Sequence, residues 1–414
     1  MTLIKTSVLT AISTVIKVIT LFIINKVVAV YVGPSGLAVI GQFKDFTSII
    51  MNFANGAINN GVIKYTSEYR ENTEEKSKFF STAIMITLIC SFIVGLTLYF
   101  FAEPFSSLIL KSDEYATVFS IFGFTIILFT LNTLLMSILN GQKEIKKYVL
   151  INIISSLFSL ALTVFLIMQF HLKGALYAMV LNQSVIFFIT LGFVIKSSWF
   201  KLKYFTQGID KKASIKLGKY SMMAITSAIT VPVSYMIIRN YIGDNLGWDS
   251  AGYWQGIWYI SSMYLMVVTT SLSVYYLPRL SEIQDKVELK KEILSGYKII
   301  MPIVIVLAFG IYFFREFVIH IAFTDKFLPM LELFKWQLIG DIIKIASWLL
   351  SYLMLAKAMT RIFIYTEVLF SVIFVILSIV FINSFGLVGI TYAYSMNYML
   401  YFFMMIYIFR RKLV

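Results

Sequence analysis

The chain has 414 residues, of which 59% are hydrophobic and only 14% are charged. A soluble domain carries about 25% charged residues, so this composition excludes an ordinary water-soluble globular protein and indicates a membrane protein. A single cysteine excludes a disulfide framework and cysteine-rich metal sites.

Apolar runs of helical length follow one another along the chain. They fall near 8–31, 36–63, 79–101, 116–140, 148–169, 174–195, 217–241, 251–276, 297–314, 331–356, 362–382 and 387–408. About 20 apolar residues cross a bilayer as a helix, and the alternating pattern of membrane strands is absent. The sequence therefore predicts an all-α polytopic membrane protein with about twelve transmembrane helices. No cleavage site follows the first run, which indicates a retained helix rather than a signal peptide.

The net charge of +14 is unevenly distributed. If the N-terminus is cytoplasmic, most Lys and Arg residues lie in cytoplasmic connections, with clusters at 64–78, 143–147, 196–219, 279–298 and 410–412. The positive-inside rule produces this bias, so the sequence predicts that both termini are cytoplasmic. Nucleic-acid binding requires aromatic or groove-reading elements around the charge, and the sequence shows none, so no nucleic-acid partner is expected.

The chain also repeats itself. Gly174-Ala-Leu-Tyr-Ala returns 215 residues further on as Gly389-Ile-Thr-Tyr-Ala. The same offset, within one residue, relates Ser67-Glu68 to Ser281-Glu282, and Lys26 precedes Gln42 by the same spacing with which Arg239 precedes Gln255. These matches predict two six-helix lobes, 1–200 and 217–414, joined by a basic cytoplasmic linker at 201–216. Because six is even, the lobes enter from the same side and form a parallel pseudo-two-fold repeat.

No catalytic, nucleotide-binding or metal-binding motif is present, so we expect neither an enzyme nor a cofactor. The informative residues are charges within apolar spans, because a charge at mid-bilayer costs about 2.5–3.5 kcal/mol and usually faces a cavity. They are Lys17, Lys26, Lys44, Asp45, Arg239, Lys335, Asp341, Lys344 and Glu367. Basic groups outnumber acidic ones, which favours an anionic ligand, with phosphate the leading candidate.

Polar residues recur at helical spacing beside these charges. The second span carries Gln42, Asp45, Ser48, Asn52, Asn55 and Asn59 on one predicted face, the eighth carries Gln255 and Trp258, and the tenth carries Gln337, Asp341 and Lys344. Such a face suits a sugar, but small polar residues also join helices. Trp254, Trp258 and Trp336 fit either a sugar platform or an interfacial belt.

Several charges have local alternatives. Asp341 and Lys344 are three residues apart and can pair directly, as can Lys44 with Asp45. Glu367 has Arg361 and Lys357 within reach, Lys335 is placed to snorkel, and Arg239 lies near the outer interface.

Three strings carry a family resemblance. They are Lys26-Val-Val-Ala-Val-Tyr-Val-Gly-Pro-Ser-Gly-Leu with Gln42-Phe, the run Trp254-Gln255-Gly256-Ile257-Trp258 followed by Ser273-Val-Tyr-Tyr-Leu-Pro-Arg279-Leu-Ser-Glu282, and Phe334-Lys-Trp336-Gln337-Leu-Ile-Gly340-Asp341-Ile-Ile-Lys344. They resemble Wzx-type lipid-linked oligosaccharide flippases, in the branch that handles enterobacterial common antigen, with the O-antigen translocases beside it. The resemblance covers nearly the whole chain.

The resemblance implies the fold of the multidrug/oligosaccharidyl-lipid/polysaccharide exporters and a location in the bacterial inner membrane. It implies a substrate, undecaprenyl-pyrophosphate-linked oligosaccharide, that moves from the cytoplasmic to the periplasmic leaflet. Its partners would be membrane lipids, a polysaccharide polymerase and a chain-length regulator.

By the same analogy, Lys17, Lys26, Lys44, Arg239 and Lys344 are candidates for the pyrophosphate. Gln42, Asn52, Asn55, Asn59, Gln255, Trp258, Trp336 and Gln337 are candidates for the glycan, and Asp45, Asp341 and Glu367 for ion coupling.

Two other functions remain open from the sequence. A cation-coupled multidrug exporter has the same fold, but its usual cargo is cationic and favours an acidic pocket. A glycan polymerase or ligase needs a sizeable external loop with catalytic residues, and the longest external connections here, near 102–115 and 315–330, are short.

Overall fold

The structure is a computed structural model that describes the backbone of residues 3–413, with the side chains of 3–11, 219–224, 274 and 411–413 excepted. Lys5, Lys219, Arg411 and Lys412, which contribute to the predicted orientation, therefore lie outside the described side chains. The α-helices are α1 (Leu3–Tyr31), α2 (Gly33–Ala54), α3 (Asn59–Glu68), α4 (Thr73–Phe100), α5 (Ala102–Leu110), α6 (Ala116–Gly141), α7 (Ile145–Ile195), α8 (Lys211–Leu246), α9 (Trp248–Ser271), α10 (Leu277–Glu282), α11 (Lys286–Phe313), α12 (Arg315–Ala322), α13 (Phe334–Ala356), α14 (Thr360–Phe385) and α15 (Gly389–Leu413).

Within the described residues, 7 helical stretches are long and apolar enough to cross a membrane. Two of them, Ile145–Ile195 and Thr360–Arg410, have 51 residues each. At 1.5 Å per residue each is about 75 Å long, more than twice the thickness of the hydrocarbon core. Both are interrupted near the middle, the first by the non-helical His171 and the second by the turn Gly386–Val388. The prediction of an all-helical polytopic membrane protein is confirmed.

The predicted second span, 36–63, is not one helix. α2 ends at Ala54 and α3 begins at Asn59. Gly56 and Ala57 adopt positive φ values of 62° and 52°, and the amide of Ala57 donates to the carbonyl of Asn52, which is the hydrogen bond of a Schellman motif. The expected single face through Asn52, Asn55 and Asn59 is therefore wrong, because the helix stops between the last two.

The chain forms two compact units. The first comprises Met1–Tyr31 and Val39–Pro232, and the second comprises Val32–Ala38 and Val233–Val414. The predicted linker 201–216 packs into the first unit, where Tyr204 and Phe205 are buried. The amide of Asp210 donates to Thr82 Oγ1 at 2.8 Å, and its carboxylate accepts from the amide of Ala213 near the start of α8.

Each unit contains the same close approach at the repeated glycine. A Cβ atom on Gly174 would lie 1.9 Å from the carbonyl oxygen of Leu166, and one on Gly389 would lie 2.1 Å from that of Phe381. Real Cβ contacts never come this close, so both positions require glycine. The two pairs are related by the 215-residue offset of the sequence repeat.

Helix ends repeat in the same way. α6 and α13 both finish in a Schellman turn whose left-handed residue is not glycine, namely Lys143 at φ 58° and Ala358 at φ 49°. α4 and α11, of 28 residues each, begin at side-chain caps provided by Asn72 and Asp285. The two units therefore share the same glycine contacts, helix caps and helix-terminating turns.

Candidate functional site

The carboxyl group of Asp341 lies fully buried in the second unit, between three helices. On α9, Ser261 Oγ and Tyr264 Oη donate to Asp341 Oδ2 at 2.7 and 2.8 Å. On α15, Tyr394 Oη donates to Asp341 Oδ1 at 2.8 Å. Three hydroxyl donors thus compensate the loss of hydration that burial imposes on the carboxyl group.

The residue before Asp341 makes this arrangement possible. A Cβ atom on Gly340 would lie 2.3 Å from Cδ1 of Tyr394 and 3.1 Å from Oγ of Ser395. Glycine therefore allows α13 and α15 to approach closely enough for the tyrosine hydroxyl to reach the carboxyl group. Ser395 Oγ donates to the carbonyl of Trp336 at 2.6 Å and fixes the same helix pair.

One turn further along α13, the ammonium group of Lys344 lies among aromatic rings. Its Nζ is 4.9 Å from the ring centre of Trp258, 4.8 Å from Trp348, 5.6 Å from Tyr398 and 6.0 Å from Tyr394. Rings at these distances attract a cation through their negative faces. The spacing of Asp341 and Lys344 allows a direct pair, but among the described side chains the hydrogen-bond partners of the acid are hydroxyl groups and the neighbours of the ammonium group are aromatic rings.

Neighbouring polar residues extend this cluster. Gln337 is fully buried and its Nε2 lies 3.4 Å from Ser261 Oγ. Trp258 packs against Tyr235 and Tyr394, with ring centres 4.9 and 5.7 Å away. We define Gln337, Asp341, Lys344, Ser261, Tyr264, Trp258, Trp348, Tyr394 and Tyr398 as the acid–aromatic cluster.

Arg239 is buried close to α9 but has other partners. Its Nη2 donates to Gln255 Oε1 at 2.6 Å, and its guanidinium lies 5.6 Å from the ring centre of Trp254. Arg239 and Gln255, whose spacing matches that of Lys26 and Gln42, are thus in direct contact.

The predicted residues of the first unit lie in varied environments. Gln42 is fully buried, Lys26 and Asp45 are half-buried, and Lys17 and Lys44 are exposed. Asn55 is also buried, whereas Asn52 is half-buried and donates to the carbonyl of Ser48 at 2.9 Å. Asn59, half-buried, begins α3.

The remaining candidates lie on α13 and α14. Trp336 is 37% exposed and contacts the ring of Tyr392 edge-on. Lys335 is exposed and lies near the ring of Trp336, in keeping with the snorkelling alternative. Glu367 is half-buried on α14, while Lys357, one of its expected partners, donates to the carbonyl of Ile283.

A second polar site, which the sequence analysis missed, lies inside the first unit. Asn132 Nδ2 donates to Gln183 Oε1 at 2.7 Å, and Gln183 Nε2 lies 3.5 Å from Ser155 Oγ. These groups, with Phe129 and Tyr148, line a cavity of about 280 Å³. Uncharged amides and hydroxyls beside aromatic rings are the groups that bind sugar hydroxyls. We call this the amide cavity.

The sequence contained weak signals for the missed residues. Tyr394 directly follows the repeated Gly389 string, and Ser261 and Tyr264 follow Trp258 at steps of three on α9. Asn132, Ser155 and Gln183 come from separate parts of the chain, so only the packing of α6 against α7 brings them together.

Comparison with known proteins assigns the chain to a family. Residues 3–284 match the family model described as "Polysaccharide biosynthesis protein". Curated proteins named "Lipid III flippase" from Escherichia coli (strain K12) and Shigella flexneri are each 29% identical over 402 residues, covering 97% of this chain and 97% of each relative.

Solved structures establish the fold. An inward-facing multidrug resistance MATE family transporter of the MOP superfamily matches with a TM-score of 0.80 at 14% identity, covering 96% of this chain and 94% of that one. A MOP superfamily transporter from Pyrococcus furiosus matches with a TM-score of 0.72 at 15% identity, covering 99% and 95%. The predictions of the exporter fold and of a transporter rather than an enzyme are confirmed. The chain has the fold of MOP superfamily transporters, and it belongs to the polysaccharide biosynthesis protein family, the Wzx-like family that the sequence strings resemble.

Proposed function

We propose that this protein is a flippase that moves undecaprenyl-pyrophosphate-linked oligosaccharide from the cytoplasmic to the periplasmic leaflet by alternating access, coupled to an ion gradient. The similarity to lipid III flippases along 97% of both chains supports the substrate class. The observation that carries the proposal within this structure is the position of Lys344 in the acid–aromatic cluster.

That position separates the proposal from the alternative of a cation-coupled multidrug exporter. A cationic drug is bound by aromatic faces and a carboxylate. Here the aromatic faces already surround the Lys344 ammonium, and Asp341 accepts three hydroxyl hydrogen bonds. A fixed cation in this place favours an anionic ligand such as a pyrophosphate.

We assign the roles as follows. Lys17, Lys26, Lys44, Arg239 and Lys344 contribute to binding the pyrophosphate. Gln42, Asn52, Asn55, Asn59, Gln255, Trp258, Trp336 and Gln337 bind the glycan, together with the amide cavity. Asp341, with Asp45 and Glu367, responds to the coupling ion, and the full burial of Asp341 is the observation that supports its part.

We also propose twelve crossings in two six-helix lobes related by a parallel repeat. Each of the two 51-residue stretches supplies two crossings, so the 7 apolar stretches account for nine crossings. α2, α8 and α9, of 22, 36 and 24 residues, supply the other three, because their length suffices although their polar residues lower their hydropathy. An even number of crossings puts both termini on the same side of the bacterial inner membrane, and the bias of Lys and Arg residues favours the cytoplasmic side. A polymerase and a chain-length regulator are the proposed partners in the pathway.

The test is transport by the purified protein in liposomes, with undecaprenyl-pyrophosphate oligosaccharide as cargo, with and without a proton gradient. We expect Lys344→Met to lower the initial rate at least about tenfold, since it keeps the side-chain volume but removes the cation. Lys335→Met, on the same helix but exposed, is the matched control and should transport like the wild type.

Transport that is unaffected by Lys344→Met would contradict the phosphate role. A wild-type protein that moves cationic dyes and not the lipid-linked cargo would establish the exporter instead.

A further inference from the structure

A separate cavity of about 440 Å³ lies in the first unit, where three connections between helices meet. It is lined by the turn before α4, by the turn from α6 into α7, and by the residues that follow α7. All three belong to the basic clusters that the positive-inside rule assigns to the cytoplasm. The amide cavity and the acid–aromatic cluster share no lining residue with it.

The side chains that line this cavity carry a net positive charge. Arg70, Lys76, Lys143 and Lys146 line the cavity against Glu71 and Glu144. Lys147 neutralises Glu144 through an ion pair of 2.9 Å. Among the described side chains, Lys143 and Lys146 form no ion pair, so their ammonium groups are available to a ligand.

Two buried donors lie at the same cavity. Gln142, which is 4% exposed, has no acceptor for its Nε2 among the described residues, and the indole Nε1 of Trp199 has none either. A buried donor without an acceptor destabilises the folded protein, so a ligand rich in acceptor atoms would be favoured here.

The N-terminus of α7 adds a third kind of donor. Its cap residue, Glu144, makes no side-chain hydrogen bond to the first amides of the helix, and Ile145 and Lys146 line the cavity. Free amides and the helix dipole at this end favour an anion. The cavity is therefore lined by several kinds of hydrogen-bond donor, namely backbone amides, an indole, a carboxamide and ammonium groups.

We propose that this cavity binds a phosphate group, from either an anionic lipid headgroup of the cytoplasmic leaflet or a soluble phosphate. The proposal is independent of the proposed transport function, because it concerns equilibrium binding in the absence of any oligosaccharide.

The experiment is calorimetric titration of the purified full chain in a neutral detergent at constant ionic strength. One arm uses inorganic phosphate and the other dihexanoyl phosphatidylglycerol, with dihexanoyl phosphatidylcholine as the neutral lipid reference. Saturable binding of phosphate identifies the soluble ligand, and saturable binding of phosphatidylglycerol alone identifies the lipid headgroup.

Variants locate the binding. We expect the double variant Lys143→Gln with Lys146→Gln to weaken the Kd at least about tenfold. Its matched control is Lys201→Gln with Lys203→Gln, which removes the same charge from the neighbouring connection and should leave the Kd unchanged. Gln142→Leu should weaken binding while the Tm of the unliganded protein stays equal or rises, because an unsatisfied donor is removed.

Two results would overturn the proposal. One is an equal loss of affinity in both double variants, which would indicate general surface charge. The other is the absence of saturable binding by both probes to a wild type that unfolds cooperatively.

Discussion

The helix pairs α6–α7 and α13–α15 occupy equivalent places in the two units, but they contain different chemistry. In the α6–α7 pair, Thr125 Oγ1 lies 3.5 Å from the carbonyl oxygen of Val180. In the α13–α15 pair, Gly340 lies against Ser395. Gly340 follows Thr125 by 215 residues, and Ser395 follows Val180 by the same number. In this register Asp341, Lys344 and Tyr394 correspond to Ile126, Phe129 and Met179.

The difference teaches how a repeated scaffold acquires one site. The glycine contacts and helix ends are duplicated because each unit must solve the same packing problem. The buried acid and base occur in one copy, where hydroxyls and rings from α9 and α15 compensate them. The other copy keeps uncharged amides at a cavity. The two copies therefore present different polar chemistry on the same scaffold.

The largest expected effect tests the shared scaffold. Gly174→Ala and Gly389→Ala should each destabilise the protein by more than about 3 kcal/mol, because the added Cβ would clash with a backbone carbonyl. Gly192→Ala and Gly310→Ala, where the Cβ meets nothing within 4 Å, are the controls and should be neutral or slightly stabilising. Thermal unfolding in detergent measures all four. Equal Tm values in test and control pairs would refute the shared constraint.

The next effect concerns the acid in the second unit. Asp341→Leu should lower the free energy of unfolding by about 3 kcal/mol, since three hydroxyl groups lose their acceptor. Asp341→Asn keeps one acceptor oxygen, which can accept from two hydroxyls, and should cost less. Under the proposed function it should also abolish ion-coupled transport. At the equivalent position, Ile126→Leu should cost under about 1.5 kcal/mol. Denaturation in mixed micelles gives the comparison, and a cost for Asp341→Leu no larger than that of Ile126→Leu would contradict it.

The smallest effect concerns the amide cavity. Asn132→Leu removes the donor to Gln183 and should cost about 1–2 kcal/mol in stability. Under the proposed function it should also reduce the transport rate a few-fold, less than Lys344→Met does. Thr133→Val alters a hydroxyl that bonds within its own helix, to Phe129, and serves as the control. Because Thr133 also lines the amide cavity, a second control is Thr130→Val, which alters a hydroxyl bonded to Ile127 on the same helix but outside the cavity lining. If transport by Asn132→Leu matches that of Thr130→Val, Asn132 has no part in recognition of the glycan.

The sequence predicted the membrane class and the family correctly, because each leaves a local or periodic signal. The prediction of one continuous helix for the second span was wrong, because a Schellman turn at Gly56 and Ala57 interrupts an apolar run without a change in hydropathy. Tyr264 and Tyr394 escaped notice because a tyrosine in an apolar span gives no sign of what its hydroxyl contacts.

The sequence by itself determined that this protein resides in a membrane, because its apolar composition and the distribution of its basic residues are stable only there. It also determined the repeat, whose glycines mark positions where two backbones approach. Only the tertiary structure decided that Asp341 is bound by hydroxyls and Lys344 by rings. The partners come from helices far apart in the chain, and hydrogen bonds depend on distances that helical spacing does not specify.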